Sequence, residues 1–241
     1  MPSFSARPGS QEEQVGRLII AAVLVLALPG LPLGNYAIFP FVILTTWFHE
    51  MGHGLTALLV GMDFNRLVIF ADGSGFAESR VRLDAPALSS ALVAAGGPIG
   101  PALAGSLLIL ASARHTLWRP ALLALAAALV LSTLIWVRGM TGMIVLPLIA
   151  AALGWIAWRA RDGVQLFALQ FLGVLGAMSM FQDLDYLFSE GAYVGGQPML
   201  SDTGAIEAAL VLPHWVWAIL LTALCMAMVG LSLRYALARE G

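Results

Sequence analysis

The sequence predicts an all-α polytopic membrane protein with about six to seven transmembrane helices and a small β-hairpin. Hydrophobic residues make up 60% of the 241 residues and charged residues only 11%, and the mean hydropathy is +0.88. A soluble domain carries about twice that share of charged residues. The apolar residues lie in runs of about 17–25, the length that a helix needs to cross a bilayer. Short links rich in Arg, Gly and Pro separate these runs.

Seven apolar segments follow a polar N-terminal tail of residues 1–16. Because no internal repeat or second polar region is evident, we treat residues 17–241 as a single membrane-embedded domain. The basic residues are all arginine and divide equally between the two sides of a seven-span arrangement, so the positive-inside rule leaves the orientation open. The expected spans cover residues 17–33, 38–60, 87–111, 117–137, 140–158, 164–188 and 212–233.

The segment after the second span has the pattern of a β-hairpin over residues 64–82. Its two arms contain β-branched and alternating residues, and Asp72-Gly73 between them is a strong turn signal. The alternative is a plain connecting loop. A free strand edge at this place could bind an extended peptide by strand addition.

The third span contains the small-residue sequence AAGGPIGP at residues 94–101. Small residues allow helices to pack closely, and prolines free backbone groups that neighbours must satisfy. The segment is therefore either a kinked packing helix or a broken helix that lines a site. The sequence alone leaves both interpretations open.

Composition also excludes several classes of function. A net charge of −2 gives no electrostatic basis for binding nucleic acid. The single cysteine, Cys225, excludes an intrachain disulfide and a zinc site built from thiolates. A transporter should place polar residues along several helices, and the fourth and fifth spans have almost none.

The second span carries the sequence His49-Glu50-Met51-Gly52-His53. Histidines at i and i+4 share one helix face, so both imidazoles can reach one metal ion. Two histidines and one further ligand leave a coordination position of zinc open for water, which Glu50 could activate as general base. The alternative is a pair of core histidines with a bystander glutamate. Unpaired ionisable groups at membrane depth cost about 2.5–3.5 kcal/mol each, which favours a shared metal.

Two carboxylates near the end of the sixth span, Asp183 and Asp185, are candidates for the third ligand. In a seven-span arrangement they come to a height similar to that of the histidines. Because they are two residues apart on a helix, we expect only one to face the metal. For Ser201 or Asp202, by contrast, we expect a structural role as the cap of a short helix that extends to Ala209.

Taken together, these motifs resemble the site-2-protease-type intramembrane zinc metalloproteases, in particular a short bacterial branch without PDZ domains. The resemblance extends from about residue 41 to 229. It rests on four features in chain order: the residues from His49 to Gly54, the turn Asp72-Gly73-Ser74-Gly75, the sequence Ala95-Gly96-Gly97-Pro98, and Asp183 followed by Ser201-Asp202-Thr203.

The resemblance implies a multi-pass protein of the bacterial inner membrane that hydrolyses peptide bonds of membrane-anchored proteins within or near the bilayer. It implies one zinc ion bound by His49, His53 and an aspartate, with Glu50 activating the water. It favours Asp183 over Asp185, although the Asn-Pro and final Gly that flank this ligand in better-known members are absent here. The hairpin turn residues would help to present an unwound substrate segment: Gly73, Ser74 and Gly75.

Two other functions remain in view at this point. The chain could be a non-catalytic metal-binding scaffold of the same fold, although such a scaffold has no need of a base at Glu50. It could also be a transporter, which its apolar fourth and fifth spans disfavour.

Overall fold

A computed structural model of the chain describes residues 11–80 and 86–238. Over these residues the protein is mainly helical, as the composition predicts. The elements in chain order are α1 (Gln11–Ala27), α2 (Gly34–Leu59), β1 (Asp63–Ile69), β2 (Gly75–Arg80), α3 (Ala87–Ser112), α4 (His115–Ile135), α5 (Met140–Arg159), α6 (Asp162–Gln182), α7 (Leu184–Leu187), β3 (Gly191–Val194), β4 (Gln197–Leu200), α8 (Asp202–Ala209) and α9 (His214–Ala238).

Six helices within the described residues are long and apolar enough to cross a membrane: α1 with the turn after it, α3, α4, α5, α6 and α9. This confirms an integral membrane protein with an all-α polytopic fold. The most apolar stretch of α6 is 72% buried and that of α3 56%, against 17–28% for the other four. Helices α3 and α6 therefore form the centre, and the other four present most of their surface outwards. Helix α2 is as long as α3 but is not among the six, and it carries the two histidines.

Helix α3 packs closely on α2 and α6 through glycines. A Cβ at Gly105 would lie 2.6 Å from the backbone of α6, and a Cβ at Gly96 would lie 2.6 Å from the Gly52 carbonyl oxygen of α2. Only glycine allows backbones to approach this closely. Pro98 and Pro101 lie inside α3, yet the helix is continuous from residue 87 to 112. The third span is therefore a continuous helix that packs closely on its neighbours, and the expectation of a broken helix is wrong, although residues of α3 do line a cavity as that alternative expected.

The predicted hairpin after α2 is confirmed as β1 and β2, which pair antiparallel with Leu67 opposite Ala77 and Ile69 opposite Gly75. Its last two predicted residues, 81 and 82, lie outside the described part of the chain. The outer edge of β1 is covered, because the Leu67 amide donates to the Trp136 carbonyl and the Leu67 carbonyl accepts from the Arg138 amide. Since the amide and carbonyl of Leu67 point away from β2, Leu67 and Ala77 form a pair without hydrogen bonds between them. The amide and carbonyl of Ala77 therefore point to the outer edge of β2.

The structure differs from the sequence predictions at three places. Helix α1 begins at Gln11, so the end of the expected polar tail is helical, while residues 1–10 are not described. The sixth span ends at Gln182, and the short helix α7 follows it. The expected link after that span contains a second antiparallel hairpin, β3 and β4. Its two-residue turn is Gly195-Gly196, with φ of +56° and +78°, as tight hairpin turns require.

Candidate metal centre

The two histidines lie side by side on α2, with ring centroids 4.9 Å apart. The Nδ1 atom of His53 lies 2.7 Å from the carbonyl oxygen of Val93 on α3. A hydrogen bond from Nδ1 to a carbonyl leaves Nε2 unprotonated and free to bind a metal, and it fixes the plane of the ring. Helix α3 thus orients one of the two predicted ligands.

The carboxylate that meets the histidines belongs to Asp202. Its Oδ2 atom lies 3.0 Å from His49 Nε2, and its Oδ1 atom lies 3.2 Å from His53 Nε2. The ligand atoms of these three residues all lie within 4.8 Å of one another. Asp202 is the first residue of α8, whose N-cap is Ser201, with its hydroxyl accepting from the Gly204 amide at 3.0 Å. Because Ser201 caps the helix, the Asp202 side chain is free to face the histidines.

The carboxylate that the structure brings to the histidines is therefore that of Asp202, and not that of Asp183 or Asp185 as the sequence led us to expect. Helix α6 ends one residue before Asp183, and the chain turns there into α7. The Asp183 side chain lies close to Ser179, with Oδ2 3.3 Å from the Ser179 hydroxyl, in a cavity beside His49. Asp185 is exposed. Nothing in the spacing of Asp202 relates it to the histidines. The sequence Ser201-Asp202-Thr203 contributed to the family resemblance, but we interpreted Asp202 itself as part of a helix cap.

The geometry leaves room for a metal between these groups. The Oδ2 atom of Asp202 is buried, and its contact with His49 Nε2 at 3.0 Å does not have the geometry of a hydrogen bond, so the oxygen can still bind a metal. Gly97 of α3 faces the histidines, and a Cβ there would lie 2.7 Å from His49 Nε2 and closer still to His53 Nε2. The absence of a side chain at residue 97 thus opens space beside both nitrogens. Two imidazole nitrogens and one carboxylate oxygen form a donor set typical of catalytic zinc.

The charge of Asp202 suits the same role. Burial by itself raises the pKa of the Asp202 carboxyl, but the imidazoles of His53 and His49, when they are protonated in the metal-free site, outweigh burial and hold its pKa well below its usual range. Asp202 therefore stays ionised at neutral pH, as a metal ligand must.

Glu50 lies beside His49 and only 6% of its surface is exposed. Its carboxylate accepts a hydrogen bond from the Ala77 amide on the outer edge of β2. Strand β2 lies close to the Glu50 side chain: a Cβ added at Gly75 would be 3.2 Å from Glu50 Cγ. The Thr46 hydroxyl, one turn before Glu50, lies 2.6 Å from the Gly73 carbonyl oxygen and ties the hairpin turn to α2.

Two cavities, with volumes of about 300 and 280 Å³, meet at His49 and Glu50. Residues His49, Glu50, Gly75 and Tyr186 line both of them. The first cavity is the less apolar of the two. It includes the predicted substrate-binding residues Gly73, Ser74 and Gly75, with the polar residues Thr45, Thr46, Asp72, Gln182 and Asp183. The second has more apolar walls, formed by residues such as Met62, Phe76, Val93, Met199 and Leu200. A chain lying along both cavities would pass directly beside Glu50.

The second hairpin meets the first above this cleft. The Gly195 amide donates to the Ser74 hydroxyl at 3.3 Å, and a Cβ at Gly195 would lie 2.5 Å from the ring of Phe70. The turn of β1 and β2 is itself held by Asp72, whose carboxylate accepts from the amide and the hydroxyl of Ser74. These hydrogen bonds hold the pKa of the Asp72 carboxyl below its usual value. Sequence reasoning missed this contact because it missed the second hairpin.

Comparisons with known proteins agree with this geometry. The model of the family described as Peptidase M50B-like matches residues 17–232, which include the histidines and Asp202. No curated protein and no solved structure matches the chain. The match spans most of the sequence, and the structure adds a membrane fold with a His-His-Asp group that can hold a metal. The chain therefore belongs to the Peptidase M50B-like family and is a membrane metallopeptidase of the site-2-protease type.

Proposed function

We propose that this protein is a zinc endopeptidase of a bacterial plasma membrane that cleaves membrane-associated protein substrates within or near the bilayer. The observation that carries the proposal is the position of Glu50. Its buried carboxylate lies beside the His49, His53 and Asp202 group, where two cavities and an open strand edge meet. A metal-binding scaffold without catalysis has no use for a base at this point.

The metal ligands in this proposal are His49, His53 and Asp202. Zinc, when bound, polarises the scissile carbonyl and lowers the pKa of a water molecule towards 7. The hydrogen bond from His53 Nδ1 to Val93 supports this role, because it leaves the Nε2 lone pair, 3.2 Å from Asp202 Oδ1, for the metal.

Glu50 acts as the general base and then as the general acid. Its carboxylate accepts the proton of the attacking water, while the water oxygen forms a bond to the carbonyl carbon of the substrate. It then gives that proton to the amide nitrogen as the carbon–nitrogen bond breaks, so atoms and charges balance over the cycle. The hydrogen bond from the Ala77 amide holds the carboxylate in a fixed orientation between these two transfers.

The outer edge of β2 supplies a place for the substrate backbone. Ala77 directs its polar groups to this edge, and Gly75, two residues away, does the same by alternation. The Ala77 amide is engaged by Glu50, which leaves its carbonyl and the groups of Gly75 for a substrate strand. An extended segment that pairs there would lie along the two cavities. The peptide must be extended, because a helix has no free backbone groups to offer.

The test is the zinc content and the proteolytic activity of the purified protein in detergent, with fluorescently labelled casein as an extended, unstructured substrate. We expect about one zinc per chain in the wild type and in Glu50→Gln, but cleavage only in the wild type. His49→Ala and Asp202→Ala should lose the zinc, whereas Asp183→Ala and Asp185→Ala should keep it. Wild-type protein without zinc, or cleavage that survives Glu50→Gln, would overturn the proposal.

A further inference from the structure

We infer that Tyr186 is a positioning residue that holds the carboxylate of Asp202 in place to bind the metal, an inference that rests on the metal site proposed above. No sequence motif points to this residue, and it lies 16 positions before Asp202 in the chain. Its position in the structure carries the argument.

The short helix α7 places the Tyr186 side chain inside the site. Its ring lies edge-on to His49, with centroids 6.3 Å apart, and it lines both cavities. Its hydroxyl approaches both the backbone amide and the carboxylate of Asp202. Tyr186 therefore lies against both His49 and Asp202.

One hydroxyl can serve both of these groups at once. Asp202 is the first residue of α8, and the amides of a first helical turn have no acceptor within their own helix. The Tyr186 oxygen is placed to accept from this amide while its proton is donated to the carboxylate of the same residue. A hydroxyl that bridges the backbone and side chain of Asp202 restricts the side-chain rotamer. It thereby holds the carboxylate against the histidines, with Oδ2 3.0 Å from His49 Nε2 and Oδ1 3.2 Å from His53 Nε2.

The same connection is reinforced along the chain. The Thr203 hydroxyl donates to the Leu187 carbonyl at 2.6 Å, and the Ser201 amide donates to the Glu190 carbonyl at 3.0 Å. The Ser201 hydroxyl also donates to the Ser189 carbonyl. These bonds fix the start of α8 relative to the residues that follow Tyr186. These bonds position the backbone of Asp202 without help from Tyr186. The role that remains for the Tyr186 hydroxyl is to orient the Asp202 side chain.

The test is the zinc affinity of Tyr186→Phe, measured by competition with a zinc chelator, with zinc as the added ion. Phenylalanine keeps the ring against His49 and removes only the hydroxyl. We expect affinity to fall about 10- to 100-fold, the range for losing a partner that orients a metal ligand. Tyr36→Phe is the matched control, since Tyr36 is 79% exposed at the start of α2, and it should bind zinc like the wild type.

A further measurement separates positioning from a general structural role. The thermal unfolding midpoint of metal-free Tyr186→Phe should equal that of the metal-free wild type. Unchanged zinc affinity in Tyr186→Phe, or a lowered metal-free midpoint, would overturn the inference. Wild-type protein that binds no zinc would instead refute the proposed metal site itself.

Discussion

Replacing Gly97 by alanine should abolish zinc binding while leaving the fold intact. The added methyl group would lie 2.7 Å from His49 Nε2 and closer to His53 Nε2, where ordinary contacts are 3.4–4 Å. One ring or the helix must therefore move by at least about 0.7 Å. Binding constellations tolerate only about 0.5 Å of displacement. Retreat of α3 from α2 is opposed by α6, because Gly105 of α3 already packs on the backbone of α6.

We expect the zinc affinity of Gly97→Ala to fall by more than about 100-fold, beyond the loss caused by removing an orienting partner. The assay is zinc per chain by atomic emission spectroscopy, together with the helix content from circular dichroism. Gly154→Ala is the matched control, since it lies in helix α5 and a Cβ there would meet nothing within 4 Å. Wild-type zinc content in a folded Gly97→Ala protein would show that the metal does not bind between these nitrogens.

Two further predictions concern the groups around the centre. Thr46→Val should lower kcat/KM about two- to tenfold, the net value of one hydrogen bond, because it frees the Gly73 carbonyl and loosens the hairpin turn above Glu50. The zinc content of Thr46→Val should not change. The control is Thr133→Val, which loses only a hydrogen bond to Leu129 within α4 and should cleave casein at the wild-type rate. Equal activity of the two variants would contradict the proposed role of the turn. Glu207→Ala should lower the thermal unfolding midpoint at pH 7, because the His214 amide and imidazole hold the pKa of this carboxyl below its usual 4.5. A carboxyl with a lowered pKa stabilises the fold above pH 4.5, and that contribution is lost as the pH falls through its folded-state pKa. The difference in unfolding midpoint between Glu207→Ala and the wild type should therefore be smaller at about pH 3 than at pH 7. A deficit that is the same at both pH values would refute this explanation.

Local patterns in the sequence were sufficient for half of the metal centre. His49 and His53 lie one helical turn apart, so their proximity follows from helix geometry alone. Glu50 is fixed relative to them in the same way. The hairpin of β1 and β2 was equally local, because a turn signal and alternating arms lie within 20 residues.

Asp202 could not be identified in this way because its place depends on tertiary packing. Its proximity to the histidines follows from the docking of α8 on α3 and from the bonds between the start of α8 and the chain after α7. In the sequence it has the pattern of a helix cap, and Asp183 is the more conspicuous carboxylate because it follows an apolar span. The second hairpin did have a local signal in Gly195-Gly196, which the sequence analysis did not use.

The distance in sequence between the ligands has a consequence for biosynthesis. Asp202 follows His53 by 149 residues, so a growing chain contains both histidines long before it contains the carboxylate. At about 5–20 residues per second, the ribosome needs about 7–30 s to cover that interval. With Asp202 as the third ligand, a nascent chain that has reached only its first six helices cannot form a complete metal site. Under the proposed mechanism, the chain therefore cannot hydrolyse a peptide bond until residue 202 has been synthesised.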